Sequence, residues 1–145
     1  MVLHRFGTIE IEVPPEWSDQ SVLTLVREEN ASKNQILRRN FVITRAPFDG
    51  TFTLEELARG HFAALSGQVP NITLVKEELI EIDGLPAFIR EIRFPTPQHG
   101  LAQQLHVFHI RGDTAYTMVG IGSAGVAFDP TRDELLEIVK SFRVK

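Results

Sequence analysis

Two predicted strands that are apolar on both faces constrain this chain most. In segment 21–27 the residues alternate between two largely apolar sets. One face carries Leu23 and Leu25, and the other carries Val22, Thr24 and Val26. Antiparallel sheets normally keep one face wet, so two apolar faces indicate that something covers each of them.

Segment 40–45 shows the same pattern, with Phe41 and Ile43 on one face and Val42 and Thr44 on the other. A second layer of helices in this chain could cover the additional face. Alternatively, the face is an exposed apolar groove, which is the usual mark of a binding surface for another chain. The pattern alone leaves both interpretations open, and in either one Leu23 and Leu25 are expected in the core beneath.

In the N-terminal third, prolines and polar segments mark the ends of the predicted strands. Segment 8–13 alternates with period two, which predicts a half-buried strand that Pro14 and Pro15 end. Trp17 follows in a turn, where we expect its indole to cap one end of the core. Residues 28–37 are polar and are predicted to form a loop.

The remaining elements follow from local signals. Thr53 and Glu56 fit a capping box that starts a helix, and the Val69-Pro70 pair or Gly67 ends it. Asp83-Gly84 predicts a hairpin turn, and Asp129-Pro130 predicts the start of a last helix. The order is three strands, a helix, four strands and a helix. It predicts an α+β fold, a curved and largely antiparallel sheet flanked by helices, within a single domain spanning residues 1–145.

Composition excludes several functional classes. The chain has 145 residues, a formal net charge of −4 and no cysteine, so disulfides and thiolate metal sites are excluded. Nucleic acid is not the expected partner, because phosphate binding requires clustered Lys and Arg. There is no signal-peptide pattern and no apolar run near the ~20 residues of a membrane span, so we expect a cytoplasmic protein that is not embedded in a membrane.

A glycine motif at positions 120–125 matches the G-x-G-x-x-G dinucleotide fingerprint. That fingerprint belongs to a βαβ unit with a second strand and an acidic ribose ligand about 20 residues further on. The printed sequence ends at Lys145 with the last helix, so the segment is interpreted as a strand-to-helix connection and no nucleotide is expected.

The histidines give no metal pattern. His106 and His109 are three apart in a predicted strand and point to opposite faces, and His61 belongs to the buried stripe of a helix. Nucleophile motifs are also absent from the sequence. We therefore predict no catalytic residue, no metal and no cofactor, and interpret the protein as a non-enzyme.

Several segments spread over the chain resemble one family. They are 11–14, 17–21, 40–45, 53–58 and 83–87, together with Gln104, Phe108, Tyr116 and the closing 141–143. In order and spacing they resemble the DcrB-like, PsbP-related family, and within it the Eag chaperones of bacterial type VI secretion.

The resemblance implies a homodimer that shields the apolar N-terminal transmembrane helices of a secreted toxin effector before export. The client-binding groove that it implies consists of Val22, Thr24, Val26 and Val42, with Gln104 and His106 as further members. Two other functions stay open: a carrier of a small molecule or lipid, and a protein–protein adaptor.

Overall fold

The structure is a computed structural model that describes residues 1–6, 8–17, 22–27 and 39–144. The predicted loop at 28–37 lies outside these ranges. The strands are β1 (Val2–Phe6), β2 (Ile9–Val13), β3 (Leu23–Val26), β4 (Asn40–Pro47), β5 (Thr73–Ile82), β6 (Leu85–Thr96), β7 (Gly100–Arg111) and β8 (Thr114–Ser123). The α-helices are α1 (Leu54–Gln68) and α2 (Asp129–Lys140), and a short 3₁₀ helix (Gly125–Phe128) precedes α2.

Six strands form one sheet in the order β3-β4-β8-β7-β6-β5, with every neighbouring pair antiparallel. Strands β5 to β8 form a meander. Strand β4 pairs with the other side of β8, and β3 pairs with β4 and forms the edge of the sheet. The predicted α+β fold, an antiparallel sheet with helices packed on it, is confirmed.

The predicted turn at Asp83-Gly84 is confirmed as a two-residue hairpin between β5 and β6. Both residues have positive φ, 52° at Asp83 and 79° at Gly84. This backbone is that of a type I′ turn, whose twist matches the strands that it joins. The turn places Ile82 opposite Leu85 and thereby sets the β5–β6 register as far as the Lys76–Glu91 pair, beyond which an irregularity between Leu74 and Lys76 shifts it by one residue.

The main hydrophobic core lies between α2 and one face of the sheet. Its buried members from the strands are Phe41, Ile82, Ala87, Ile89, Leu105, Val107 and Met118, and from the C-terminal segment Phe128, Leu135 and Val139. They share one face because alternate residues of paired strands point the same way. The sheet face away from α2 is therefore free to carry a second set of contacts.

Helix α1 packs on that second face, over β6 and β7. The predicted capping box is confirmed: the backbone N–H of Glu56 donates to Thr53 Oγ1, and the Thr53 N–H donates to Glu56 Oε1, both at 3.1 Å. The helix ends at Gln68, before Val69, as the Val69-Pro70 pair predicts.

The N-terminal segment differs from the sequence prediction in four ways. It contains a strand, β1, that was not predicted, and β1 and β2 form a separate two-stranded sheet. Ile9 and Ile11 are 57% and 54% exposed rather than half-buried, and Trp17 is 65% exposed and does not cap the core. The local patterns gave the strand β2 correctly but could not show that this hairpin stays outside the main sheet.

Candidate functional site

The predicted groove residues lie on the α1 side of the sheet. In the register, Thr24 is opposite Val42, Val42 opposite Val119, and Val119 opposite His106, so these four form one row across four strands. The next row runs from Val26 through Asn40 and Ile121 to Gln104. Val22, directly before β3, shares this face by the alternation of the strand.

Most residues of these two rows are accessible, because α1 packs on the β6–β7 part of the sheet. Val22 and Val26 are 47% and 44% exposed. Thr24 is also exposed, while Val42 and Gln104 are half-buried. His106 differs from the others, since it lies beneath α1 and is fully buried.

We call the uncovered surface of β3, β4 and β8 the open face. Its residues are Val22, Thr24, Val26, Asn40, Val42, Thr44, Thr117, Val119 and Ile121. No helix within residues 39–144 packs on it. Sequence reasoning missed the β8 residues Thr117, Val119 and Ile121. They alternate along the strand with Met118 and Gly120, and this pattern assigns them to the open face once β8 is known to pair with β4.

The opposite face of β3 is a correction to the sequence prediction. Leu23 and Leu25 do lie on the α2 side, in register with Ile43 and Phe41. They are nevertheless 52% and 45% exposed and are not core residues in the described structure. The edge position of β3 explains this result, since α2 packs further inward, on β5, β7 and β8.

Beneath α1 lies a polar cluster of Arg90, His61 and His106. Arg90 is 4% exposed; its Nη1 donates to the Ala58 carbonyl oxygen of α1 at 2.6 Å, and its Nε to Glu77 Oε1 at 3.3 Å. The imidazole rings of His61 and His106 lie edge to face, with centroids 4.9 Å apart. The cluster ties α1 to three strands of the sheet.

Both histidines are held neutral. His106 Nε2 lies 2.7 Å from Gln104 Oε1, which can only accept, so Nε2 carries the proton. Burial, and then the neighbouring His61 and Arg90, lower the pKa of His106 to about 3. Burial and Arg90 also lower the pKa of His61. The Nδ1 atoms of both rings have no hydrogen-bond partner among the described residues.

A cavity of about 220 Å³ lies on the α2 side, beside the end of β3. Its apolar lining includes Leu25, Phe41, Leu135 and Ile138. Glu134 lies at its rim, paired with Arg27 at 3.2 Å and with Arg39 at 3.8 Å. This combination of an apolar lining and charged rim could accommodate a small amphipathic molecule.

The glycine motif has a packing role. Gly120 and Gly122 lie within β8, and a Cβ atom on either would meet a side chain of α2: Leu135 at 2.5 Å from position 120 and Thr131 at 3.0 Å from position 122. The predicted connection at 122–127 therefore begins later, after Ser123. His106 and His109 point to opposite faces, as predicted.

Within residues 1–6, 8–17, 22–27 and 39–144, no group of three or more His, Asp or Glu side chains is placed to hold a metal ion. No helix there is long and apolar enough to cross a bilayer.

The fold defined by this six-stranded sheet and its two helices is found in known structures. A Pseudomonas aeruginosa protein of unknown function, PA94, is similar with a TM-score of 0.78 and 17% identity, over 100% of this chain and 97% of that one. The cyanobacterial PsbP protein CyanoP of Synechocystis sp. PCC 6803 is similar with a TM-score of 0.56 and 11% identity, over 93% and 99%. These likenesses establish a PsbP-like fold.

The family assignment comes from sequence. The model of the DcrB family matches residues 9–141, which is most of the chain. The protein therefore belongs to the DcrB family. A comparison with curated proteins finds no match.

Proposed function

We propose that this protein is a non-enzymatic chaperone of type VI secretion, which shields the apolar N-terminal transmembrane helices of an effector before export. The observation that carries the proposal is the open face. Its valines at positions 22 and 26 are almost half exposed, and Val42, Val119 and Ile121 are half-buried although no described helix covers them. The resemblance to Eag chaperones supplies the kind of client.

The dimensions of the open face accommodate part of a helical client. Its paired residues on β4 and β8 extend over five positions, from Asn40–Ile121 to Thr44–Thr117, which corresponds to about 16 Å of strand. A helix of that length has about 11 residues. A membrane span needs ~20 apolar residues, so about half of one span can lie on this surface.

The physical reason for such shielding is the cost of exposed apolar surface. A membrane helix in water gains about 25 cal/mol for each Å² of apolar area that it buries. The open face offers valine and isoleucine side chains for this burial, and Thr24, Thr44 and Thr117 add hydroxyl groups that can bond polar atoms of a client. The function needs no catalytic group. We place it in the cytoplasm and in a homodimer, as in the family that it resembles.

The test is co-purification with the N-terminal region of an effector encoded beside this gene. Val22→Asp should abolish the complex, because it places a charge on the open face. Leu23→Asp is the matched control, since Leu23 is the adjacent residue, is similarly exposed at 52% and faces the other side of the sheet. Equal complex formation by both variants would show that the open face does not bind the client.

A second candidate function, a carrier of a small amphipathic molecule, is favoured by the 220 Å³ cavity next to α2. Native mass spectrometry of the purified protein distinguishes the two. A carrier would retain a small bound mass that Ile138→Trp removes, because Ile138 lines the cavity and is partly exposed, whereas Val22→Asp would leave that mass in place.

A further inference from the structure

We infer that α1 is a side wall of the client site, so that the client segment lies as a single helix alongside α1 on the open face. This inference rests on the proposed function, and it adds a contact surface and a stoichiometry of one helix per chain. It is carried by the position of α1 on the sheet and by the residues on one of its flanks.

The contacts beneath α1 show which flank faces the open face. His61 lies against His106 and Phe108 of β7, while the Arg90 guanidinium of β6 lies 4.8 Å from the ring centroid of Phe62. Since β8 follows β7 in the sheet, the His61 side of α1 is the side that borders the open face.

Helical spacing then defines the wall. Residues at i, i+4, i+7 and i+11 share one side of a helix. Counted through His61, that stripe consists of Leu57, His61, Ala64 and Gln68. Ala64 and Gln68 are exposed and Leu57 is half-buried, so this flank still has surface to bury. The small side chain at position 64 allows the backbone of another helix to come close.

The width of the open face allows one helix and not two. Packed helices have axes 8–10 Å apart, and neighbouring strands are about 4.8 Å apart. A helix packed against α1, which lies over β6 and β7, would therefore lie over β8 and β4. A second helix beyond it would be centred at or past β3, the edge of the sheet, and would lose most of the floor beneath it.

Cysteine cross-linking tests the wall, because the chain has no cysteine of its own. The probe is a synthetic Leu/Ala helix of about 18 residues with lysine ends and one central cysteine. Ala64→Cys and Ala63→Cys are matched variants: both positions are exposed alanines of α1, but by helical spacing Ala63 lies on the outer face of α1, turned away from the sheet. Under mild oxidation we expect several-fold more disulfide-linked probe at position 64, and native mass spectrometry should show one probe per chain.

Equal linkage at positions 63 and 64, or two probes on one chain, would overturn the wall while leaving the open face as the binding surface. Failure of the chaperone proposal looks different. In that case the wild-type chain would not bind the probe, or Val22→Asp would bind it as well as Leu23→Asp does. The inference about α1 would then fail together with the proposed function.

Discussion

Leu135 of α2 occupies the space that a side chain at Gly120 of β8 would need. A Cβ atom at position 120 would lie 2.5 Å from Leu135 Cδ1 and 2.7 Å from Cδ2. Since Leu135 is 4% exposed and belongs to the core, it has little room to retreat. The glycine motif thus sets how closely α2 approaches the sheet.

Gly120→Ala should therefore destabilise the protein by about 1–3 kcal/mol, the usual cost of overpacking a core. Urea denaturation gives the free energy of unfolding. In the Leu135→Ala background the same substitution should cost much less, because the clashing atoms are gone. An equal cost in both backgrounds would contradict the packing role.

Gly60 of α1 is the contrasting glycine. A Cβ atom there would have nothing within 4 Å among the described residues. Gly60→Ala should stabilise the protein by about 0.5–1 kcal/mol, because glycine is the poorer residue within a helix. A rise in the urea midpoint is expected, and a fall would show a contact at this position that the structure does not contain.

Thr53 anchors the first turn of α1, whose position defines one side of the open face. Thr53→Ala removes the acceptor for the Glu56 N–H and should cost about 1 kcal/mol. Thr53→Ser keeps a hydroxyl and serves as the control, with a much smaller expected loss in thermal denaturation. Equal losses for the two variants would mean that the cap bond contributes little.

Sequence reasoning succeeded where the signal is local. The capping box at Thr53 and the turn at Asp83-Gly84 are determined by hydrogen bonds and φ angles within a few residues, so both could be predicted. Trp17 and the isoleucines of β2 could not, because their burial depends on which distant element packs on them. Alternation correctly sorted Leu23 and Thr24 onto opposite faces, but only the register with β4 and β8 shows which partners extend the open face.

Arg132 of α2 is the partner of a buried carboxylate. Its Nε donates to Glu91 Oε1 at 2.5 Å, and the Glu91 side chain is only 3% exposed. Arg132→Ala should destabilise the protein by about 3 kcal/mol or more, because it leaves that charge buried and unpaired. Asp129→Asn is the control, since it removes the exposed partner of the same arginine and should cost under about 1 kcal/mol. If urea denaturation gave similar losses in the free energy of unfolding for the two variants, the Arg132–Glu91 ion pair would not contribute as expected.

The neutral imidazole cluster beneath α1 makes stability depend on pH. The groups that face His106 are His61 of α1, Arg90 of β6 and, through Arg90, Glu77 of β5. The pKa of His106 is about 3 in the folded protein and about 6.5 when it is unfolded, so the unfolded state binds the proton more readily. The contribution of the neutral His106 side chain to the free energy of unfolding is complete above pH 6.5 and is lost progressively as pH falls towards 3. From pH 7 to pH 5 the loss from His106 is about 2 kcal/mol, with a further loss from His61.

Urea midpoints across this range should fall in wild type and fall less in His106→Phe. An equal slope in wild type and in His106→Phe would refute the assignment.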